Sequence, residues 1–345
     1  MLKKFAAGVA GLAIAAVGAV AIAGNISGAG ATFPAPVYQK WAEAFKAATG
    51  NQLNYQAIGS GGGIKQIEAN TVDFGASDKP LKPEDLAANG LQQFPTVIGG
   101  VVPVVNLPGV APGGIRITGG ILSDIYRGVI PYWDDPHLTQ LNPGVKLPHD
   151  KITVVHRSDG SGTSFLYTSY LSLMGPTWAK TVGASDSVNW PTGIGGKGND
   201  GVAAMVRQTE GAIGYVEYAY AKQNHMTYAL MQNKAGHWVP PTAANFAAAA
   251  AGAKWSSAPG FYLLLLNQPG ANAWPITGAT FILMHKKQTN AQAAHDVLAF
   301  FDWAYKSGDG QAAALDYVPL PAAVKALIKN SWSTITGPNG KPVYP

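Results

Sequence analysis

A turn crowded with Gly and Ser stands between a β-branched run and an apolar, helix-like one. It reads Arg157-Ser158-Asp159-Gly160-Ser161-Gly162-Thr163-Ser164, after Ile152-Thr153-Val154-Val155-His156 and before Phe165-Leu166-Tyr167-Thr168-Ser169-Tyr170-Leu171. A turn of this kind, leaving a strand and opening a helix, points free backbone N–H groups, hydroxyls and one guanidinium at a single place. Arg157 offers a planar fork of donors, Ser161 and Thr163 offer hydroxyls, and Gly162 admits close backbone approach. Two readings of the turn stand side by side: an oxyanion site, or a helix N-cap made by Ser161 or Thr163.

The same design recurs along the chain. Gly28-Ala29-Gly30-Ala31-Thr32-Phe33-Pro34 leads into a helical face of Val37, Trp41, Ala44, Phe45 and Ala48, with Pro34 and Pro36 suited to a first turn. The strand-like Leu53-Asn54-Tyr55-Gln56-Ala57 leads through Ile58-Gly59-Ser60-Gly61-Gly62-Gly63 into a short helix holding Ile64, Ile67 and Glu68. Thr71-Val72-Asp73-Phe74-Gly75-Ala76 reads as a strand, with Asp78 at its C-terminal end, where open α/β sheets bind ligands; a turn-initiating Asp is the alternative.

Two long β-branched runs, at 96–105 and 275–284, are expected to cross between two lobes. The spacing predicts helices over 121–132, 202–208, 243–253 and 315–328, and a face of Val297, Phe300, Phe301 and Ala304. The glycine pattern at 193–201 follows no evident strand, so a dinucleotide fold is excluded there.

The chain of 345 residues begins Met1-Leu2-Lys3-Lys4, then runs apolar for 19 residues to Ala23, ending Ala21-Ile22-Ala23. This predicts an export signal over 1–23, cut near Ala23, with a membrane anchor as the alternative. Loss of Lys3 and Lys4 leaves 22 basic against 19 acidic residues, a net +3 with no basic run, so neither nucleic acid nor permanent membrane insertion is expected. The absence of Cys excludes disulfides, thiolate metal sites, a nucleophilic Cys and a lipidated N-terminal Cys. The seven His show no H-x-x-x-H pairing, neither Ser60 nor Ser161 sits in G-x-S-x-G, and no P-loop is present. The chemistry therefore favours binding over catalysis, with no cofactor and no metal.

The turn at 28–34, the Gly59-Ser60-Gly61-Gly62-Gly63 turn, Phe74-Gly75-Ala76-Ser77-Asp78 and the turn at 157–164 together resemble the PstS family, the periplasmic phosphate-binding proteins of high-affinity phosphate ABC importers. The segments at 195–201, 211–218 and 300–305 are similar to it as well, so the resemblance spans nearly the whole exported chain. It implies a type II periplasmic binding protein: two α/β lobes, two hinge strands and one phosphate in the cleft between. The lobes would be 24–106 with 280–345, and 107–279. The implied ligand contacts are Thr32, Phe33, Ser60, Asp78, Arg157, Ser161, Gly162 and Thr163, and the implied partners are inorganic phosphate and the permease subunits of the importer. Gly61-Gly62-Gly63 departs from the family, where a Ser often replaces one Gly, and the match of 259–270 is open. A secreted phosphomonoesterase on the same scaffold, or a binder of another oxyanion, are the alternatives.

Overall fold

The structure is a computed structural model and describes residues 24–345; the expected signal at 1–23 and its cut lie outside the described residues. Chain order runs β1 (Asn25–Gly30), α1 (Ala35–Thr49), β2 (Gln52–Ala57), α2 (Ser60–Glu68), β3 (Phe74–Ser77), α3 (Pro83–Ala88) and β4 (Leu91–Val105). There follow β5 (Ile115–Ile117), α4 (Gly119–Tyr126), α5 (Pro136–Leu141), β6 (Thr153–Arg157), α6 (Gly162–Met174), α7 (Pro176–Thr181), β7 (Ile194–Gly196), α8 (Gly198–Gln208), β8 (Ala212–Glu217), α9 (Tyr218–Gln223), β9 (Thr227–Gln232), β10 (Trp238–Val239) and α10 (Ala243–Ala250). The chain ends through β11 (Leu265–Leu266), β12 (Ile276–His285), α11 (Ala291–Ser307), α12 (Asp309–Ala314), β13 (Val318–Pro319) and α13 (Ala322–Ser331).

The strand order β2-β1-β3-β12-β4-β8-β6-β7 turns on β4. Its first part pairs antiparallel with β12 up to Gly100, and from Val101 to Val105 it pairs with β8. One 15-residue strand thus serves two lobes, and its Val-rich, almost wholly buried sequence suits a strand covered on both faces. The second β-branched run lies beside it as β12, and Trp274 just before that strand donates from Nε1 to the Val101 carbonyl at 3.0 Å. Both connections are pinned at one place.

Each lobe has its own aromatic core. In the first, α1 buries Val37, Tyr38, Trp41 and Phe45, and Phe45 meets Phe300 of α11 edge-on at 5.2 Å while Phe74 meets Phe301 at 5.3 Å. In the second, Tyr167 stacks on Tyr215 at 4.1 Å, with Tyr126 packed against both.

Four expectations need correction. The helix expected over 121–132 ends at Tyr126, because Gly128 adopts a left-handed φ of 75° and Pro131 follows; Val129, assigned to its apolar face, is exposed. The helical region at 315–328 is interrupted: Asp316 takes φ 62°, β13 pairs with β4, and α13 begins only after Pro321. The helix expected over 243–253 stops at Ala250. The glycine-rich 193–201 segment does contain a strand, β7, held by parallel pairing with β6, and α8 starts at Gly198 rather than Val202. A tertiary partner creates that strand, since Ile-Gly-Gly has little β preference of its own.

Helix α2 lies so close to the sheet that a Cβ on Gly63 would fall 2.5 Å from Gly30 Cα and 2.6 Å from the Ala29 carbonyl oxygen. These are backbone atoms of the strand that carries the site, and they cannot step aside. Gly63→Ala is expected to lower stability by about 2–3 kcal/mol, seen as a reduced urea midpoint at unchanged m-value.

Candidate functional site

Strand ends and helix starts meet in one place. Thr32 lies between β1 and α1, Ser60 opens α2, Asp78 follows β3, Arg157 ends β6, and Ser161, Gly162 and Thr163 open α6. All are buried. Ser60 Oγ accepts from the backbone N–H of Asp78 at 3.2 Å and of Gly162 at 3.0 Å, so three separated segments close on one oxygen. A Cβ on Gly162 would lie 2.5 Å from that oxygen and 2.6 Å from Asp78 Cβ, which explains glycine there. Across the site, Thr32 Oγ1 accepts from Asn199 Nδ2 at 2.7 Å and from Asn199 N at 3.3 Å, and Thr163 Oγ1 accepts from the same amide at 3.4 Å.

These bonds determine what the hydroxyls can offer. A hydroxyl carries one proton and two lone pairs. On Ser60 and Thr32 both lone pairs are taken by N–H donors, so each can act only as a donor toward anything further. Ser161 Oγ accepts from Ser164 N at 3.0 Å. The N-cap reading is therefore realised, and it leaves the Ser161 proton free, so capping and anion binding coexist.

Arg157 is placed by β6 and by its N–H, which donates to the Tyr215 hydroxyl at 3.2 Å. Its Nε donates to Asp159 Oδ1 at 2.8 Å and its Nη2 to Asp159 Oδ2 at 2.5 Å, while the buried Nη1 has no protein partner. Burial works to raise Asp159, yet the Arg157 hydrogen bonds and charge, with the Gly198 N–H at 3.0 Å, hold it below the ordinary carboxylate range. The Gly198 N–H of the glycine-rich 193–201 turn is thus spent on the protein's own Asp159 carboxylate.

Asp78 is the one carboxylate of the expected set; its Oδ1 is buried without a partner, and the buried Thr280 hydroxyl that acts on it has none either. Burial pushes its pKa up to about 7, against the pull of the Thr280 hydroxyl, the Arg157 guanidinium and the Ser60 hydroxyl. Of the expected set, the structure brings Thr32, Ser60, Asp78, Arg157, Ser161, Gly162 and Thr163 together. Phe33 is implied as a contact through its backbone N–H alone; its ring is buried in the lobe, 6.2 Å from the Tyr317 ring, and its carbonyl accepts from the Tyr317 hydroxyl at 2.6 Å. Asn199, Tyr220 and Tyr317 escaped the sequence reading. Tyr220 donates to the Thr32 carbonyl at 2.6 Å, and Asn199 Oδ1 accepts from Glu217 N at 2.9 Å. A lone Asn or Tyr carries no motif, and only the glycine-rich turn around Asn199 signalled it.

Among the described residues, no helix is long and apolar enough to cross a membrane, and no group of three or more His, Asp or Glu is arranged to hold a metal ion.

A family model described as a PBP superfamily domain matches residues 15–307. The phosphate-binding protein PstS of Pasteurella multocida (strain Pm70) is 53% identical over 321 residues, 93% of this chain and 93% of the relative. The phosphate-binding protein PstS of Haemophilus influenzae is 53% identical over 312 residues, 90% of this chain and 93% of the relative. The solved structure of a human phosphate binding apolipoprotein has the same fold, with a TM-score of 0.72 at 22% identity, covering 92% of this chain and 99% of that one.

Behind the site, at the end of β8, Glu217 is wholly buried. Its Oε2 accepts from Ala219 N at 2.8 Å and lies 2.9 Å from the Tyr317 hydroxyl, which also lies 2.6 Å from the Phe33 carbonyl oxygen. Tyr317 has one proton for two oxygens, and the carbonyl can only accept. The arrangement closes if Glu217 keeps its own proton and donates it to the Tyr317 oxygen. Burial, the largest influence, raises the Glu217 pKa well above its ordinary value, in the same sense. A raised acid costs stability as pH climbs above the unfolded pKa of 4.5, because folding must then take up a proton. Glu217→Gln does not titrate but loses one hydrogen bond. It is expected to be about 1 kcal/mol less stable than the parent near pH 4.5 and to overtake it by pH 7, gaining up to about 1.4 kcal/mol per unit, as read from denaturant melts at each pH.

Proposed function

The chain belongs to the PstS family of phosphate-binding proteins, and from that footing we propose that its two lobes close on one inorganic phosphate held by Thr32, Phe33, Ser60, Asp78, Arg157, Ser161, Gly162 and Thr163. The observation that carries this reading is the pairing of a buried unpartnered donor, Arg157 Nη1, with a buried unpartnered acceptor, Asp78 Oδ1, among hydroxyls whose lone pairs are already used. A ligand that satisfies both needs an acceptor oxygen for Arg157 and a proton to give to Asp78, and an oxyanion that carries a proton offers both. Phosphate keeps one at neutral pH and sulfate does not. Unmatched buried polar groups cost on the order of 1–3 kcal/mol each, so the site favours the ion that completes it.

We assign the lobes as 24–106 with 280–345 and 107–279; β4 changes partner between Gly100 and Val101, a few residues before the first of these boundaries. The protein works in the periplasm and hands phosphate to the permease of an ABC importer, which the closed lobes would signal. It binds without catalysis; a phosphomonoesterase would release product from a chromogenic phosphate ester, and none is expected here. Calorimetric titration of residues 24–345 with phosphate tests the central reading, and absence of binding would remove it.

Selectivity follows from Asp78. Asp78→Asn supplies a permanent amide donor in place of the acceptor, and is expected to improve sulfate relative to phosphate by roughly 10²–10⁴-fold in competition titrations. In the parent, the sign of the pH effect comes from the raised pKa. Below about 7 the Asp78 carboxyl carries a proton and can donate to bare sulfate; above it, it cannot. The phosphate-over-sulfate preference is thus expected to shrink by up to about tenfold per unit as pH falls below 7, and to vary far less with pH in Asp78→Asn.

A further inference from the structure

At the mouth of the cleft, Lys79 immediately follows Asp78 on the β3 side, and Asp186 lies beyond α7 on the opposite side. Lys79 Nζ donates to Asp186 Oδ1 at 3.0 Å and stands 5.9 Å from the centre of the Phe165 ring on α6. Asp186 is itself anchored: its carbonyl accepts from Ser161 N at 2.9 Å, and Ser185 Oγ donates to Oδ1 at 3.1 Å. Both partners of the pair are therefore one hydrogen bond or one residue from the proposed phosphate contacts. Burial works to raise Asp186, but the Lys79 hydrogen bond and charge hold it below its ordinary value, so the pair is ionic at neutral pH.

Beside the pair the two segments meet through backbone, while a second ion pair between the lobes, Lys222 Nζ with Asp316 Oδ2 at 2.6 Å, stands apart from it. Gly61 N donates to the Gly160 carbonyl at 2.9 Å, and a Cβ on Gly61 would come within 3.1 Å of Gly160 Cα and 3.5 Å of Asp186 Oδ2. Two bare glycines touch where the lobes meet, and glycines bring no side chain to hold them together. The ionic pair beside them is only partly exposed, 32% for Lys79 and 20% for Asp186, so water and salt reach it.

We propose that Lys79 and Asp186 form a clasp across the cleft mouth that sets how long the bound phosphate stays, by stabilising the closed arrangement over the open one. The inference rests on the phosphate-binding reading above. A contact made only when the lobes are shut acts on release, since opening must break it and encounter does not depend on it. The two halves are not equivalent. Without Asp186, an ammonium remains near a bound anion and replaces part of the lost attraction; without Lys79, a carboxylate is left facing that anion. Lys79→Gln should therefore hasten release more than Asp186→Asn does.

The test is stopped-flow release of phosphate from residues 24–345 into a trap, at low and at moderate salt, alongside calorimetric phosphate affinity. Relative to the parent, Lys79→Gln is expected to raise koff about two- to fivefold, Asp186→Asn by less, and both are expected to show a weaker salt dependence of koff than the parent, the Lys222–Asp316 pair keeping its share. Reversing the pair, Lys79→Asp with Asp186→Lys, should bring koff back toward the parent value, whereas either reversal alone should not; Lys79→Arg should also restore it. If the parent binds phosphate tightly but Lys79→Gln releases it at the parent rate, or the reversed pair releases as fast as Lys79→Gln, the clasp is wrong and the binding reading stands. If the parent binds no phosphate, it is the binding reading that fails.

Discussion

The rest of the structure depends on Ser60 Oγ, a buried oxygen that receives two backbone N–H groups from segments 18 and 102 residues away. It is one atom shared by α2, the end of β3 and the start of α6, and it joins the strand set around β1 to the strand set around β6. A buried hydroxyl left unmatched would cost on the order of 1–3 kcal/mol, so these three turns stabilise one another only when all are in position. Once they are, the hydroxyl proton has nowhere to go but toward Asp78 or an added oxyanion. The same bond pattern that closes the fold also sets the polarity of the site.

That closure requires backbone to meet backbone without side chains between. Gly162 touches the Ser60 hydroxyl and Asp78, Gly63 touches β1, and Gly61 touches Gly160. The tyrosines act in the opposite way, reaching from one segment to carbonyls on another: Tyr220 to Thr32, Tyr317 to Phe33 and Tyr305 to Pro95. Glycines let the turns approach, and the tyrosine hydroxyls fix how far. The protonated Glu217 belongs to this second group, since a charge there would leave the Tyr317 proton contested.

Local pattern made much of this legible. The strand–turn–helix units around Thr32, Ser60 and Arg157 announce themselves because Gly and Ser between a β-branched run and a helical face have few other uses, and β4 was plain as a long Val-rich run. What escaped was set by distant partners. β7 exists because β6 pairs with it, and nothing in Ile194-Gly195-Gly196 calls for a strand. The short helices near 126 and 314 end where Gly128 and Asp316 take left-handed conformations, which apolar spacing does not register. Asn199 was missed as a site organiser because an Asn earns its role from which oxygens lie near it, here those of Thr32 and Thr163.

The distribution of charge separates two jobs within a few residues. Inside, Arg157 is already paired with Asp159, burial favours the protonated form of Glu217, and Asp78 is raised to about 7, so an entering anion meets oriented donors rather than a net positive field. Donors fixed in a buried interior need no reorganisation and are shielded from dissolved ions, so the selectivity they confer should be nearly indifferent to salt. At the rim the arrangement is reversed: Lys79 and Asp186 are full charges within reach of water, where screening acts over about 8 Å at physiological ionic strength. Recognition placed in neutral donors and closure placed partly in an ion pair means that the medium can change how fast the cleft opens while leaving untouched which ion it prefers.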